Sequence, residues 1–382
     1  MVRILHVLDQ SAGWEQRVAL TQLVHRLPAD RFAHLPAILS SRARAALPET
    51  LRNPIPLACA GGRGILAGLV APALGRVIRR YEVDLIHAWG VSAAFAACVA
   101  LQPFRSRRVP VLLESFDPAL STFDRKILRM LTPTGGLAIA CASQTVRRRL
   151  IEAGITPEAC TVIRSGADFA LINQYRKGDG RQRLGVSRGE CLALLSEPVR
   201  REHGHFDAFW AAALTHHLSG SLRIVVPGLS QERDRIVRFA ETLPDPVGII
   251  APGNELPFDH LLAIADVVLV PSDGDVSTTG IAWAMAASAA VIAAAGYAVA
   301  EIIAHKVNGL LYKRDPDRGA VIPVMKLLSD RDAQQRVKET ARGQAYEIFS
   351  ARRYADQHAR LYQNLLAQAP PSDGITDPAG IS

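Results

Sequence analysis

Residues 262–312 have the sequence LAIADVVLVPSDGDVSTTGIAWAMAASAAVIAAAGYAVAEIIAHKVNGLLY, which predicts the fold of the second half of the chain. Two short apolar runs, Val267–Val270 and Ala290–Ala294, have the length and composition of parallel strands buried on both faces. Between them, a loop rich in Ser, Thr and Gly leads into a helix predicted over residues 279–287. The free backbone N–H groups at the start of such a helix can bind a phosphate. An ordinary strand–loop–helix unit with nothing bound fits this pattern equally well.

Five short motifs of this stretch stand in a recognisable order. They are Pro271-Ser272, Asp275, Ala284-Met285-Ala286, Glu301-Ile302-Ile303 and Asn308-Gly309-Leu310-Leu311. Together they resemble the donor-binding region of the retaining glycosyltransferases of family 4. The resemblance implies an α/β protein of the GT-B fold, in which two Rossmann-like domains with parallel sheets face a central cleft. It also implies a nucleotide-sugar donor as substrate and a site that needs no metal or other cofactor.

The first half of the chain opens with the same kind of strand–turn–helix unit. Val2–Leu8 is predicted as a parallel strand, Gly13 lies in the turn, and residues 15–27 have helical periodicity. In the family this turn lies against the acceptor or the donor phosphates, although a plain turn is the alternative. Residues 83–90, VDLIHAWG, resemble the family's fourth strand and place His87 at its carboxyl end. His87 is predicted either to contact a sugar hydroxyl or to cap the strand through the backbone.

Four positions depart from the family's pattern, and all four belong to its chemistry. Trp283 replaces an acidic residue that accepts hydrogen bonds from the donor's ribose, which an indole N–H cannot do. Glu197 and His203 take the places of the Arg and Lys that bind the donor's diphosphate. The histidine that usually follows the fifth strand is missing. Arg200 and Arg201 are either replacement cations or solvent-facing arginines.

The resemblance provides a set of candidate site residues. The catalytic candidates are Asp275 and His87. The donor-binding candidates are Gly13, Arg200, Arg201, His203, Ser277, Thr278, Thr279, Gly280 and Glu301. The loop hydroxyls are predicted to bind the donor phosphates, and Glu301 is predicted to lie near the nucleotide. No metal ligand is among the candidates, because no cluster of His, Cys and Asp has metal-ligand spacing.

Length, composition and charge are those of a two-domain globular protein. The 382 residues suffice for two cores, and the net charge of +8 favours an acidic partner such as a nucleotide phosphate or an anionic membrane face. The basic residues are scattered among few aromatics, so nucleic acid is not expected as a partner. The five cysteines have no regular spacing, which argues against a disulfide framework. No apolar stretch reaches the roughly 20 residues of a membrane span. The sequence opens on a predicted strand rather than on a signal peptide. We therefore expect a cytoplasmic protein, for which peripheral binding to the inner membrane face stays open.

The predicted organisation follows from these motifs and from one polar, Gly-rich segment. An acceptor-side Rossmann-like domain (1–172) and a linker (173–189) precede a donor-nucleotide domain (190–348), a helix that crosses back (349–367) and a disordered tail (368–382). The leading hypothesis is a glycosyltransferase of the hexosyltransferase type. It would transfer a sugar with retention to a glycan, lipid or small-molecule acceptor. The alternative is an inactive GT-B relative that binds a nucleotide or sugar or serves as a scaffold.

Overall fold

The computed structural model describes residues 1–57, 64–102, 109–116, 120–134, 136–187, 189–219, 222–243, 248–253, 255–274, 276–314 and 330–368. The catalytic candidate Asp275 and residues 369–382 of the predicted tail therefore lie outside the described residues.

Two parallel sheets form the centres of two domains. The first consists of β1 (Val2–Leu8), β2 (Phe32–Ile38), β3 (Ile55–Pro56), β4 (Leu85–Trp89), β5 (Val111–Ser115), β6 (Leu137–Cys141) and β7 (Cys160–Val162), in the order β3-β2-β1-β4-β5-β6-β7. The second consists of β8 (Cys191–Leu195), β9 (Leu222–Val225), β10 (Ile249–Ile250), β11 (Val267–Val270), β12 (Ala290–Ala294) and β13 (Leu310–Tyr312), in the order β10-β9-β8-β11-β12-β13. Two Rossmann-like domains with parallel sheets confirm the predicted fold class.

Helices connect the strands of both sheets. In the first domain they are α1 (Trp14–Arg26), α2 (Ala71–Arg80), α3 (Val91–Leu101), α4 (Thr122–Leu131) and α5 (Gln144–Glu152). The linker region contains α6 (Phe169–Lys177) and α7 (Gly180–Arg183). The second domain contains α8 (His205–Ser219), α9 (Gln231–Ala240), α10 (Phe258–Ile264), α11 (Thr279–Ala286), α12 (Tyr297–Ala300) and α13 (Arg331–Ile348), and α14 (Ala351–Gln368) ends the described chain.

Each sheet has a hydrophobic core on both of its faces, as strand geometry requires. In β11, Val268 and Val270 belong to one core cluster, and Val267 and Leu269 belong to the opposite one. This alternation follows from the two-residue period of a strand. It explains why the strands of this protein are almost continuously apolar in sequence.

The last helix, α14, packs on the first domain although the second domain precedes it in the chain. Its residues Tyr354, Ala355 and Tyr362 share a core cluster with Ile4 and Leu8 of β1. The helix continues to Gln368, the first residue of the predicted tail. The C-terminus of the described chain is thereby fixed to the first sheet.

A buried polar network joins α14 to β5. The carboxylate of Glu114 accepts a hydrogen bond of 2.9 Å from the Tyr354 hydroxyl, and its other oxygen lies 2.9 Å from His358 Nε2 and 3.2 Å from His87 Nε2. Burial alone would raise the pKa of Glu114, but the charge of His358 and the hydrogen bonds from both histidines lower it to about 2. The second ring nitrogen of His87 lies 2.8 Å from the Tyr362 hydroxyl. These side chains satisfy one another in the interior.

We expect Glu114→Ala to lower the free energy of unfolding by about 3–5 kcal/mol, because it leaves two buried histidines and a hydroxyl without their acceptor. The matched control is Glu152→Ala, whose carboxylate forms half-exposed ion pairs with Arg148 and Arg149. That control should cost at most about 1 kcal/mol. Denaturant unfolding at pH 7 measures both, and equal losses for the two variants would contradict the role of the network.

Candidate functional site

Two cavities lie at the carboxyl edges of the two sheets, where the order of the strands reverses. In the first sheet the reversal falls between β1 and β4, and in the second it falls between β8 and β11. In open α/β sheets these crevices are the places where ligands bind, since loops leave neighbouring strands in opposite directions there. The topology therefore predicts one site for each domain, and a cavity is present at each position.

The second-domain cavity has a volume of about 250 Å³ and lies between the loop after β8 and the loop that connects β11 to α11. Trp14 and Glu15 of the first domain contribute to its wall. Its polar lining consists of Glu15, Ser196, Glu197, Arg200, His203, Ser272 and Ser277. The cavity thus has walls from both domains.

The predicted phosphate-binding loop faces this cavity only in part. Ser277 and Gly280 line it. Thr278 and Thr279 are 4% and 1% exposed, and the Thr279 hydroxyl lies 2.9 Å from the Ser165 hydroxyl of the first domain. The expected row of three hydroxyls turned toward a ligand is therefore reduced to one, because Thr278 is buried and Thr279 contacts the first domain.

A carboxylate of the first domain occupies the remaining hydroxyl. The Ser277 hydroxyl donates a hydrogen bond to Glu15, the residue that follows Trp14 in the first turn of α1. Ser277 also accepts a hydrogen bond of 3.3 Å from the backbone N–H of Thr279 at the start of α11. An anion of the protein itself thus sits where the sequence predicts a phosphate.

Two of the three donor-binding candidates in the loop after β8 reach the cavity. Arg200 and His203 line it, whereas Arg201 is exposed and is not among the lining residues. The loop that carries them is held by His205, whose ring nitrogens lie 2.8 Å from the Ser196 carbonyl oxygen and 3.1 Å from that of Arg200. Sequence reasoning missed His205, because its partners are backbone groups that no motif indicates.

Glu197 is a partly buried carboxyl group in the wall of the cavity. Its carboxyl lies so close to Gly228 that a Cβ atom there would stand 2.8 Å from the Glu197 oxygen. Burial raises the pKa of Glu197 to about 7, and the nearby carboxylates of Glu15 and Asp259 add to this effect. The family's arginine position therefore holds a group that is neutral at slightly acidic pH.

The first turn of α1 makes the main described contacts between the domains at this site. The Trp14 ring packs edge-on against Phe258 at 5.2 Å and against Trp283 at 6.4 Å between ring centroids. One turn further along α1, Arg17 forms an ion pair with the buried Asp259. Sequence reasoning assigned no role to Trp14, Phe258 or Arg17, since these partners are more than 200 residues apart in the chain.

Trp283, which replaces the family's second acidic residue, does not line the cavity. Its side chain is 0% exposed, and its indole N–H donates a hydrogen bond of 2.9 Å to the carbonyl oxygen of Gly166. The indole thus packs between the domains.

Glu301, which was predicted to lie near the nucleotide, contacts the first domain. Its carboxylate accepts hydrogen bonds of 2.9 and 3.0 Å from the backbone N–H groups of Gln144 and Thr145, and it forms an ion pair of 3.2 Å with Arg164. Both N–H groups belong to the first turn of α5, where a negative charge is favoured by the helix dipole. Glu301 therefore caps a helix of the first domain and is not among the residues that line the second-domain cavity.

His87, which was predicted to contact a sugar hydroxyl or to cap its strand, lies in the buried polar network. Its side chain is 0% exposed, and both ring nitrogens contact side chains of the buried network rather than the cavity or the strand's backbone. Burial lowers the pKa of His87, against the opposing effect of Glu114. A sugar hydroxyl has no access to His87 in this structure, because β4 carries its side chain into the interior.

The first-domain cavity is larger, with a volume of about 570 Å³, and Gly13 lies in its wall as expected for the turn after β1. Its polar lining consists of Asp9, Gln10, Ser11, Glu15, Gln16, Ser92, Glu114, Ser115, Ser121 and Asp124. Burial raises the pKa of Asp9, whose carboxylate accepts a hydrogen bond of 2.8 Å from Ser11 N–H. Hydroxyl and carboxylate groups of this kind suit a polyhydroxylated ligand. Trp14 and Glu15 line this cavity as well as the second-domain cavity, so the two are neighbours.

The described residues contain one group of side chains whose ligand atoms are close enough for a metal ion, namely His87, Glu114 and His358, all within 4.8 Å. This group is the buried network under α14, and hydrogen bonds within the network account for its geometry. Both histidines of this network are buried, so neither is exposed to the second-domain cavity or to the first-domain cavity. Within the described part of the chain, every helix is too short or too polar to cross a membrane.

Comparison with known proteins agrees with the two-cavity geometry. Residues 16–171 match the family model Glycosyltransferase Family 4, and residues 179–344 match the model Glycosyl transferases group 1. The two matches fall on the two domains and together span most of the chain, so each domain matches a glycosyltransferase family model. No curated protein sequence matches the chain significantly.

Several solved structures share the whole fold. HepE of Anabaena, in complex with UDP and glucose, superposes with a TM-score of 0.76 at 21% identity, over 95% of this chain and 100% of HepE. A glycosyltransferase of Rickettsia africae gives 0.75 at 16% identity, over 96% and 99% of the two chains. Sucrose-phosphate synthase of Thermosynechococcus elongatus gives 0.72 at 17% identity, over 96% and 100%. At these identities the likeness establishes the fold.

We expect Glu197→Gln to stabilise the protein at pH 8 and to have little effect at pH 5. The folded-state pKa of about 7 lies above the ordinary value of 4.5, so the folded state holds this proton more tightly than the unfolded state does. The penalty for ionising Glu197 is absent at low pH and grows as the pH rises toward 7, to roughly 3 kcal/mol. Unfolding measured at both pH values tests this, with the exposed Glu202→Gln as control. The same stabilisation at pH 5 and pH 8 would refute the shifted pKa.

Proposed function

We propose that this protein transfers a sugar, with retention, from a nucleotide-sugar donor in the second-domain cavity to an acceptor in the first-domain cavity. The observation that carries the proposal is the shared wall: Trp14 and Glu15 line both cavities. Two adjacent sites at the carboxyl edges of two sheets hold two substrates side by side, which is the requirement of a transfer between them.

The donor half of the proposal is supported by HepE, which was solved in complexes with UDP and with UDP-glucose. In this chain, a diphosphate would meet the Ser277 hydroxyl, backbone N–H groups at the start of α11, and the side chains of Arg200 and His203. Negative charge accumulates on the leaving diphosphate, so these donors act where stabilisation is needed. We retain UDP-sugars as the first donors to test.

Two carboxyl groups set conditions on donor binding. Glu15 must release Ser277 before a phosphate can take the same hydroxyl, since two anions cannot share it. Glu197, with its pKa raised to about 7 by burial, faces a diphosphate without repulsion when it is protonated. Donor binding in this scheme is coupled to proton uptake and strengthens at mildly acidic pH.

The transfer step follows the family's front-face reaction in this proposal. Asp275 orients the transferred sugar, a role that rests on the motif match alone, and the departing diphosphate oxygen takes the proton of the acceptor hydroxyl. The bond from the anomeric carbon to the diphosphate breaks as the bond to the acceptor oxygen forms on the same face. No metal is required for this balance, because protein cations and amides stabilise the leaving group.

The acceptor is proposed to be a glycan or a lipid-linked saccharide. The start of α4 lines the first-domain cavity, and the same helix exposes 41% of Phe123 and 57% of Met130 next to the exposed cations Arg125 and Lys126. Exposed apolar side chains beside positive charges suit the interface of an anionic membrane. Peripheral contact there would bring a lipid-linked acceptor to the cavity.

A second candidate function is a GT-B relative that binds a nucleotide or sugar without turnover. The observation that favours it is the pair of carboxyl groups, Glu15 and Glu197, in the wall where a diphosphate clamp is expected. Binding and turnover therefore need separate tests.

The binding test compares two neighbouring arginines. We expect Arg200→Ala to weaken UDP binding about tenfold or more, because it removes a charged hydrogen-bond donor from the cavity. Arg201→Ala, one residue further and outside the cavity, should change the affinity less than twofold. Calorimetric titration with UDP, GDP and ADP at pH 6 and pH 8 measures both variants. Absence of binding for every nucleotide at millimolar concentration would refute the donor site.

The turnover test uses a panel of nucleotide-sugars with detection of the released nucleoside diphosphate. We expect slow donor hydrolysis with at least one sugar and its loss in Asp275→Ala, while UDP affinity is kept. UDP binding without turnover of any sugar, in the presence of glycan or lipid acceptors, would instead establish the non-catalytic function.

A further inference from the structure

A third cavity, with a volume of about 420 Å³, lies at the opposite end of the second sheet from the candidate active site. It borders Asp266, which immediately precedes β11, and Ser288, which follows α11. One wall comes from the linker helices α6 and α7, and the other comes from α13. The sheet therefore separates this linker cavity from the second-domain cavity.

The linker cavity carries an excess of positive charge. Its basic lining residues are Arg176, Arg181, Lys338 and Arg342, and its acidic lining residues are Asp266 and Glu339. Asp266 is already engaged by Arg181, at 2.9 Å, and by the backbone N–H of Leu192. The carboxylate of Glu339 accepts a hydrogen bond from the Gln335 amide. The two acids are thus satisfied, and two cations remain in excess.

Two guanidinium groups are fixed in place before any ligand arrives. Arg342 donates to the Ala286 carbonyl oxygen at the end of α11 and, at 3.0 Å, to the Asn173 amide oxygen. Arg181 donates to the carbonyl oxygens of Ile264 and Glu190 at 3.1 and 2.6 Å. Groups held in this way lose little freedom when they bind, which favours affinity.

The other two cations of the linker cavity are Arg176 and Lys338. Neither Arg176 nor Lys338 forms an ion pair or hydrogen bond with another described residue, and Lys338 is half-buried. Burial and the positive charge of Arg176 both lower the pKa of Arg342, so the two guanidinium groups repel each other across the cavity. A dianion between them would relieve that repulsion.

We propose that the linker cavity binds the phosphate group of a small phosphorylated molecule, through Arg176, Lys338 and Arg342. A phosphate brings two negative charges at neutral pH and accepts hydrogen bonds from planar guanidinium and ammonium groups alike. The volume exceeds that of a phosphate alone, so an organic part fits beside Ser288 and Gln335. The bound anion joins the linker helices to α13 and fastens the linker to the second domain.

The test measures thermal stability of the full chain against inorganic phosphate and, separately, glucose 1-phosphate, with potassium chloride added to keep the ionic strength constant. A ligand that binds only the folded state raises its stability in a saturable way. We expect saturable stabilisation by at least one probe, and at least a tenfold loss of apparent affinity in the double variant Arg176→Ser/Lys338→Ser. If glucose 1-phosphate binds more tightly than inorganic phosphate, its sugar occupies the rest of the cavity.

Two controls separate this site from general charge effects and from the donor site. Arg125→Ser/Lys126→Ser removes the same two residue types from the exposed face of α4 and should leave the affinity unchanged. Arg200→Ala removes a cation of the second-domain cavity and should also leave it unchanged. The single variant Lys338→Gln, followed by calorimetric titration, gives the same comparison if the double variant does not fold.

The proposal is overturned if neither probe stabilises the protein saturably at constant ionic strength, or if the double variant binds as tightly as the wild type. It is also overturned if Arg200→Ala, rather than the linker-cavity variants, abolishes binding. The proposed sugar transfer does not enter this test, so either proposal can fail while the other stands.

Discussion

The contact between the first turn of α1 and the second domain is the constraint on which the site depends. Trp14 packs on Phe258 and Trp283, Glu15 accepts a hydrogen bond from Ser277, and Arg17 pairs with Asp259. The turn follows β1 at the strand-order reversal of the first sheet. Its residues Trp14 and Glu15 also line the cavity at the carboxyl edge of the second sheet. One turn of helix therefore both holds the domains together and forms a wall of each cavity.

Carboxyl groups dominate the electrostatics where these surfaces meet. The carboxylates of Glu15 and Asp259 act on Glu197, and Asp259 forms an ion pair with Arg17. Neighbouring carboxylates in a partly buried place disfavour full ionisation, so a proton remains on Glu197 to about pH 7. The proton removes the negative charge of Glu197 but leaves this position neutral rather than positive.

The sequence predicted the strands more closely than it predicted the site. The bounds of β1, β11 and β12 agree residue by residue, because a buried strand leaves a mainly apolar run in the sequence. The partners of Glu301 and Trp283 were not predictable, since they lie in the first domain and depend on how the domains pack. Motifs locate a residue on its own strand or loop, whereas its side-chain partners are fixed by tertiary structure. The role of Asp275 stays a prediction.

Two residues that the motifs assign to the donor-binding region contact the first domain instead. Trp283 and Glu301 both bind backbone groups of the first domain, at Gly166 and at the start of α5. These two side chains thereby hold the two domains in one arrangement. The remaining second-domain cavity, about 250 Å³, is smaller than the roughly 300–1,000 Å³ of most small-molecule sites. If the proposed donor binds in this cavity, it competes with Glu15 for the Ser277 hydroxyl, so donor binding would act against this interdomain hydrogen bond.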